Sequence, residues 1–265
     1  STLGITWKLL RDSGLSGVWF QEFLGSPDDA PLPEQPDAPP LLTAAVAGHA
    51  PHTTDPAWLV RLKSQANGRR RPFSIHLDES DDEAAFLETG QGAWADFLAT
   101  RGIDFSGWPL PADGPVTYAD RLGLLDPGTL AVHLLRTRRP TFDLLRRRGC
   151  HVCICPRSNQ NLHNRLPDLP GMLEAGLAPC LGTDSLAGTQ SLSMFDEMAF
   201  CARTYPMVPP ETILAMATRN GAAALHLADH FGSLTPGKSA AMHYRSAAAT
   251  TPEALLEQIV HEEPC

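Results

Sequence analysis

Residues 72–80 read PFSIHLDES, a short apolar run that ends in His76 and is followed three residues later by Glu79. A run of this length, bounded by polar and turn-forming residues, is typical of a buried strand in a parallel sheet. Five further runs of the same kind occur at 15–23, 41–48, 129–134, 150–155 and 178–182. Helical patterns separate them, and this alternation predicts βαβ units and the α/β class.

Residues typical of helix ends mark the helices between these runs. Pro56 follows Asp55 at the predicted start of one helix, and Gly149 and Gly176 follow the ends of two others. The patterns predict helices over 56–66, 141–148, 169–175, 210–219 and 252–260.

The stretch 80–127 is a long insertion between two predicted strands. It contains helical patterns at 82–89, 93–100 and 117–123 and a loop rich in Gly, Pro and Trp. Insertions of this length on an α/β scaffold usually shape a binding pocket, and we expect that role here.

Composition excludes several classes of function. The chain has 265 residues, 43% hydrophobic, so it can bury a large core, and its net charge of −9 argues against binding nucleic acid or an anionic membrane. No apolar run approaches the roughly 18 residues of a membrane span, and no cleavable signal segment is visible at residues 1–4. Six cysteines without a disulfide-framework spacing favour a reducing, cytoplasmic setting, and we expect Cys153 and Cys155 to be structural.

Polar residues stand at the carboxyl ends of four predicted strands: His49, His76 with Glu79, His133 and Asp184. The carboxyl ends of parallel barrel strands share one face, so these side chains should converge on one pocket. Imidazoles and carboxylates together suit a hydrolytic metal centre. Each residue alone has a plain structural explanation, such as a helix cap for Asp184 or a first-turn acid for Glu79. Polar residues at the ends of four strands together favour a functional explanation.

Four motifs in this order resemble the amidohydrolase superfamily: Ser74–Ser80, then His133, then Cys155–Asn159, then Leu181–Ser185. The resemblance runs from about Gly14 to Lys238. Within the superfamily the pattern is similar to the branch of cytosine deaminases, guanine deaminases and triazine hydrolases. Residues 20–25 and 72–80 are most similar to aminodeoxyfutalosine deaminases of menaquinone biosynthesis.

The resemblance implies a TIM-type (β/α)8 barrel over residues 1–232 that lacks its first two strands. Residues 233–265 would hold the remnant of a small β-sandwich and a C-terminal helix. The His-x-His metal pair expected on the family's first strand is absent from this sequence. Either the chain is part of a longer protein that carries this pair upstream, or it is a degenerate barrel that has lost its metal.

The resemblance also implies roles for individual residues. His76 would be a metal ligand, and Asp184 would be a second ligand that also accepts a proton. Glu79 would be the general acid and base, while His133 would orient and polarise the attacking hydroxide. The expected substrate contacts are His49, Glu22, Ser158 and Asn159.

The implied function is a metal-dependent aminohydrolase, which converts an amino-substituted purine-type nucleoside or heterocycle to its oxo form and releases ammonia. One divalent metal ion is expected, zinc first, with iron and manganese as the other suitable ions. The expected partner is a small-molecule substrate, and a homodimer is left open. Another hydrolase of the branch (guanine deaminase, chlorohydrolase or amidase-like) is the alternative enzyme, and a metal-free pseudoenzyme or interaction module is the alternative from another class.

Overall fold

A computed structural model describes residues 6–25, 38–244, 246 and 248–261 of the chain. Residues 1–4, where we looked for a signal segment, and Cys265 lie outside this part. The chain divides into two compact units, Ser1–Cys150 and His151–Cys265. The predicted boundary near residue 232 stays a prediction.

Four parallel strands form the sheet of the first unit: β1 (Gly17–Phe23), β2 (Leu42–Gly48), β3 (Phe73–Leu77) and β4 (Thr129–His133). They pair in chain order, with Phe23 opposite Gly48 and Leu77 opposite His133. All four were predicted within two residues of these bounds. Because the strands are parallel, their carboxyl ends lie at one edge of this sheet.

Among the described residues of this unit, six helices accompany these strands: α1 (Thr6–Asp12), α2 (Pro56–Gly68), α3 (Asp81–Thr89), α4 (Ala93–Thr100), α5 (Pro115–Arg121) and α6 (Thr141–Arg148). Helix α2 begins where the sequence predicts, because the Asp55 side chain accepts hydrogen bonds from two first-turn N–H groups and Pro56 needs no acceptor. The helix packs closely on β2, since a Cβ added at Gly48 would overlap Leu59 Cδ2. The absence of a side chain at Gly48 therefore allows α2 to pack directly against the end of β2.

The 80–127 insertion has a hydrophobic core of its own. Helices α3, α4 and α5 surround Phe86, Leu98, Trp108 and Tyr118, all buried. Apolar side chains packed in this way fix the insertion as an ordered segment rather than a loose loop. Trp94 lies at its margin, with its ring centroid 4.4 Å from that of His52.

The second unit contains strands β5 (His151–Ile154) and β6 (Cys180–Leu181), which pair in parallel with Cys153 opposite Cys180. Its helices are α7 (Pro156–His163), α8 (Leu169–Glu174), α9 (Met194–Thr204), α10 (Pro210–Ala217), α11 (Arg219–Ala224) and α12 (Pro252–His261). All six predicted strands are thus present, and the predicted α/β class is confirmed.

The single helix predicted over 210–219 is wrong at its end. The backbone of Thr218 leaves the helical region, with φ −129° and ψ −91°, so the chain forms α10 and α11 instead. Helices α7 and α9 were not predicted as helices. From Ser233 onward, the described residues form one helix and no strand, and the sandwich remnant stays a prediction.

Five cysteines lie in the described part of the chain, and all five are buried and free. Burial among apolar neighbours is the setting in which thiols act as small hydrophobes, as expected for Cys153 and Cys155. None of the helices described is both long enough and apolar enough to cross a membrane.

Candidate active site

Five polar side chains come together at the carboxyl edge of the first unit's sheet. Glu22 lies near the end of β1, His49 directly after β2, His76 within β3, Glu79 just past β3, and His133 at the end of β4. We call these five residues the imidazole cluster. The convergence predicted for His49, His76, Glu79 and His133 is therefore present within this unit.

The three imidazoles lie side by side. The ring centroids of His49 and His76 are 5.0 Å apart, and those of His76 and His133 are 5.3 Å apart with near-parallel planes. Burial, with His76 as a nearby like charge, lowers the pKa of His49. His49 is therefore a neutral imidazole at neutral pH, the form that acts as a base or a metal ligand.

Glu22 places a carboxylate beside two of these rings. Its Oε1 lies 3.8 Å from His76 Nδ1, and one ligand atom each from Glu22, His49 and His76 lies within 4.8 Å of the others. Within the described ranges, this is the one group of three or more His, Cys, Asp or Glu side chains close enough to hold a metal ion. The resemblance implies that Glu22 and His49 contact the substrate. In the structure, both lie next to His76, the predicted metal ligand.

Glu79 and His133 form the second contact of the cluster. Glu79 Oε1 lies 3.5 Å from His133 Nε2, and the His133 side chain is only 2% exposed while that of Glu79 is 24% exposed. A buried imidazole next to a carboxylate that reaches solvent suits proton exchange with a bound molecule. His133 also has a φ of +78°, a strained conformation that turns the chain at the end of β4.

Glu83 was missed by the sequence reasoning, although it fixes the backbone of Glu79. Its fully buried carboxylate accepts hydrogen bonds from the backbone N–H of Asp78 at 3.0 Å and of Glu79 at 2.7 Å. Burial alone would raise the pKa of Glu83, but His52 and these two N–H groups outweigh it and hold the pKa below its usual value. The signal in the sequence was Ser80-x-x-Glu83, the pattern of a capping box, and the Ser80 hydroxyl does cap α3.

Asp78 is the other buried acid of this loop. Its carboxylate accepts a hydrogen bond from Thr137 Oγ1 at 2.5 Å, which ties the end of β3 to the loop after β4. Burial raises the pKa of Asp78 to about 6 despite this bond. Its φ of +55° is a second strained turn at a strand end.

In the second unit, Asp184 follows β6 and has both carboxylate oxygens occupied. Ser158 Oγ donates to Oδ2 at 2.6 Å, and the Ser185 backbone N–H donates to Oδ1 at 2.7 Å. Ser158 and Asn159 are fully buried in α7. Ser158, predicted as a substrate contact, is thus seen holding Asp184, whose own φ is +58°.

Arg157 and Glu197 form a buried pair in the second unit. The Arg157 guanidinium lies 3.7 Å from Glu197 Oε1, and the Glu197 side chain is wholly buried. Burial raises the pKa of Glu197 to about 7, against the pull of Arg157 toward the charged form. Glu197 lies in the stretch Met194–Met198, which also belongs to the family resemblance, but the sequence implied no role for it.

Comparison with known proteins identifies a family and similar proteins for this chain. The profile of the amidohydrolase family matches residues 34–243. The 5-methylthioadenosine/S-adenosylhomocysteine deaminase of Syntrophobacter fumaroxidans is 33% identical over 208 residues, which are 76% of this chain and 43% of that protein. The chain therefore spans less than half the length of this curated relative.

Two solved structures are also similar. The crystal structure of Helicobacter pylori aminofutalosine deaminase has a TM-score of 0.82 at 27% identity, covering 99% of this chain and 69% of that one. The crystal structure of an adenosine deaminase from Xanthomonas campestris with bound zinc has a TM-score of 0.65 at 27% identity, covering 84% of this chain and 48% of that one.

Proposed function

The chain belongs to the amidohydrolase family, and from this premise we propose that the protein deaminates an amino-substituted purine-type nucleoside. The observation that supports this best is the contact of Glu79 with His133 at 3.5 Å, beside the stacked ring of His76. An acid–base pair next to further imidazoles is what hydrolysis of an amidine-like carbon requires.

The reaction adds water to the ring carbon that bears the amino group. The C–O bond forms, the C–N bond to the amino group breaks, and ammonia leaves, so that the product carries an oxo group. Glu79 takes a proton from the attacking water and delivers it to the adjacent ring nitrogen. The second proton of the water then passes from the new hydroxyl group to the amino group, which leaves as ammonia. His133 orients the water and stabilises the charge that develops on its oxygen.

The donor set of the cluster fits a divalent cation, because two imidazoles and a carboxylate lie within reach of one centre. His76 would hold the ion, which we propose to be zinc. Such an ion lowers the pKa of bound water and polarises the carbon under attack. The role of Asp184 as ligand and proton acceptor is a proposal that rests on its motif.

For the substrate, we propose adenine-type nucleosides, because the three similar proteins carry names of adenosine-type deaminases. The finer proposal is aminodeoxyfutalosine, which would place the protein in menaquinone biosynthesis. The likeness to the H. pylori enzyme over 99% of this chain supports this finer choice. The compartment we propose is the cytoplasm, since the described cysteines are all unpaired.

A substrate panel tests this function. Ammonia release by the purified, metal-loaded protein would be measured with 5-methylthioadenosine, S-adenosylhomocysteine, aminodeoxyfutalosine, guanine and a chlorinated triazine. We expect the highest kcat/KM with one of the three adenine-type nucleosides. Turnover of guanine or of the triazine alone would show that the protein has another activity of the family. A protein that binds metal but turns over none of these compounds would overturn the proposal.

A further inference from the structure

We propose that His52 is a positioning residue for Glu79, and that it acts through the buried carboxylate of Glu83. The part of Glu79 as acid and base rests on the proposed function. The contacts that join His52 to Glu83 and Glu83 to Glu79 all lie within the first unit. They bring a second loop into the site, because His52 follows β2 whereas Glu79 follows β3.

Glu83 reaches further back along the chain than a helix cap requires. It lies in the first turn of α3, three residues after the N-cap residue Ser80. In a capping box, an acid at this position accepts a hydrogen bond from the N–H of the cap residue itself. Glu83 instead accepts from the N–H groups of Asp78 and Glu79, one carboxylate oxygen for each. The carboxylate therefore orients the residue that carries the proposed acid–base group.

The Glu83 carboxylate must be ionised to accept both of these bonds well, although its side chain is wholly buried. Burial disfavours the charged form of a carboxylate, whereas hydrogen bonds and a nearby positive or polar group favour it. Burial alone would raise the pKa of Glu83, but the pKa is held below its usual value, and His52 is foremost among the opposing causes. The imidazole thus keeps the carboxylate in the form that orients Glu79.

His52 is placed to act on Glu83. Its Nδ1 lies 3.9 Å from Glu83 Oε1, and its side chain is 8% exposed. Among the residues described, Nδ1 is a buried atom without a hydrogen-bond partner. Because an ionised carboxylate can only accept, the tautomer that this contact favours carries its proton on Nδ1. The carboxylate of Glu83 is therefore the group toward which this N–H is directed.

The loop that carries His52 is fixed to the sheet. The Gly25 N–H donates to the Thr53 carbonyl, and the Asp55 N–H donates to the Gly25 carbonyl, so the chain after β1 holds this loop. The ring of His52 also packs against Trp94 of α4, with the ring centroids 4.4 Å apart. His52 is thus held on both sides, and its charge and N–H act from a fixed point on the loop after β3.

Two substitutions at His52 separate positioning from packing. His52→Asn carries an amide N–H near the place of Nδ1 but no ring, whereas His52→Phe keeps a ring against Trp94 but has no donor. With metal-loaded protein and an adenine-type nucleoside, we expect kcat in His52→Phe to fall by about 100-fold, because a small misplacement of a catalytic group costs about this much. His52→Asn should be at least about tenfold more active than His52→Phe. In both variants, KM and metal content should stay within about threefold of the wild type.

Amide hydrogen exchange of the 265-residue chain reports the same link without turnover. In His52→Phe, the N–H groups of Asp78 and Glu79 should exchange about tenfold faster than in the wild type, because Glu83 holds them less strongly. The Leu134 N–H donates to the Leu77 carbonyl at the neighbouring strand ends. It is the control and should exchange at the wild-type rate.

Two results would overturn the proposal. One is exchange of the Asp78 and Glu79 amides in His52→Phe as slow as in the wild type. The other is a lower activity in His52→Asn than in His52→Phe, which is the order that packing alone predicts. If His52→Phe fails to fold, His52→Gln replaces it: its amide lies near the place of Nε2, so it must show faster exchange and lower activity than His52→Asn. A wild type that deaminates no nucleoside overturns the proposed function alone, and the exchange rates still decide the role of His52.

Discussion

The imidazole cluster and the Asp184 carboxylate are two strand-end sites built on different principles. In the cluster, carboxylates face imidazoles at 3.5–3.8 Å. Asp184 instead accepts close hydrogen bonds at 2.6 and 2.7 Å from Ser158 and Ser185. The cluster thus pairs carboxylates with imidazoles, an arrangement suited to receive an ion or a proton, whereas both Asp184 oxygens accept hydrogen bonds from the protein itself.

In both sites, a residue other than glycine has a positive φ. His133 and Asp184 have φ values of +78° and +58°, and Asp78 beside the cluster has +55°. Residues other than glycine rarely adopt this region, and each such residue costs about 1–3 kcal/mol. Strain at three strand ends, in two units, marks these turns as places where side-chain direction matters more than stability.

Replacing Glu79 with Gln should have the largest effect on turnover. A glutamine keeps the shape but transfers no proton, and general acid–base catalysis contributes about 10²–10⁴-fold. We expect kcat for ammonia release to fall by about 10³-fold, with the metal content of the same sample unchanged. Turnover within a few-fold of the wild type at full metal content would remove Glu79 from the chemistry.

Two variants, Asp184→Asn and Ser158→Ala, test the Asp184 site in the same comparison. We expect a loss in kcat of about 10³-fold for Asp184→Asn if it serves as the proton acceptor. Ser158→Ala removes one hydrogen bond to the Asp184 carboxylate, and a hydrogen bond to a charged group is worth about 1.5–3 kcal/mol. We therefore expect kcat to fall by about tenfold or more. Steady-state kinetics distinguish the roles: a rise in KM with unchanged kcat in Ser158→Ala would return Ser158 to its predicted role as a substrate contact.

Glu83→Gln tests whether the cluster depends on its buried support. The carboxylate accepts two backbone N–H bonds, and an amide can accept only one of them without placing its NH₂ group against the other. We expect the free energy of unfolding to fall by about 2–4 kcal/mol in urea titrations. Ser80→Ala, which removes the cap of the same helix, should cost about 1 kcal/mol. Equal losses in the two variants would show that Glu83 acts as an ordinary helix cap.

Glu197 predicts a smaller, pH-dependent effect in the second unit. Its pKa of about 7 in the folded protein exceeds the ordinary 4.5, so the folded state holds more protons between these values. Stability from this group is therefore present below about pH 4.5 and is lost as the pH rises through 7, by about 3 kcal/mol.

Glu197→Gln should flatten this dependence, measured as the free energy of unfolding at pH 5 and pH 8. The exposed Glu174 in helix α8 provides the control, since Glu174→Gln should leave the wild-type slope in place. A slope in Glu197→Gln as steep as in the wild type would show that another group causes it.

Local signals in the sequence were enough for most of the fold. Helix α6 has the predicted bounds because Gly149 follows it with a φ of +73°, a conformation that favours glycine. The six strands were visible because buried parallel strands are continuously apolar. Helix α7 was not predicted because three of its residues, Ser158, Asn159 and Asn161, have weak helix propensity and form a helix only in their tertiary context.

The site was predictable in its members but not in its contacts. That His76 and Glu79 lie near the end of one strand is evident from the local sequence, whereas the approach of Glu22 to His76 depends on the register of β1 on β2 and of β2 on β3. No periodicity encodes that register. The hydrogen bond from Thr137 to Asp78 likewise arises only when segments 59 residues apart in the sequence meet.

The claim that the imidazole cluster supports hydrolytic deamination is tested most directly by following oxygen and nitrogen together. Metal-loaded protein would react with an adenine-type nucleoside in ¹⁸O-labelled water, with ammonia measured enzymatically and the product by mass spectrometry. We predict one ammonia for each product molecule and one ¹⁸O atom at the ring carbon that carried the amine. Product formed without ammonia, or with its oxygen drawn from a source other than water, would contradict the claim.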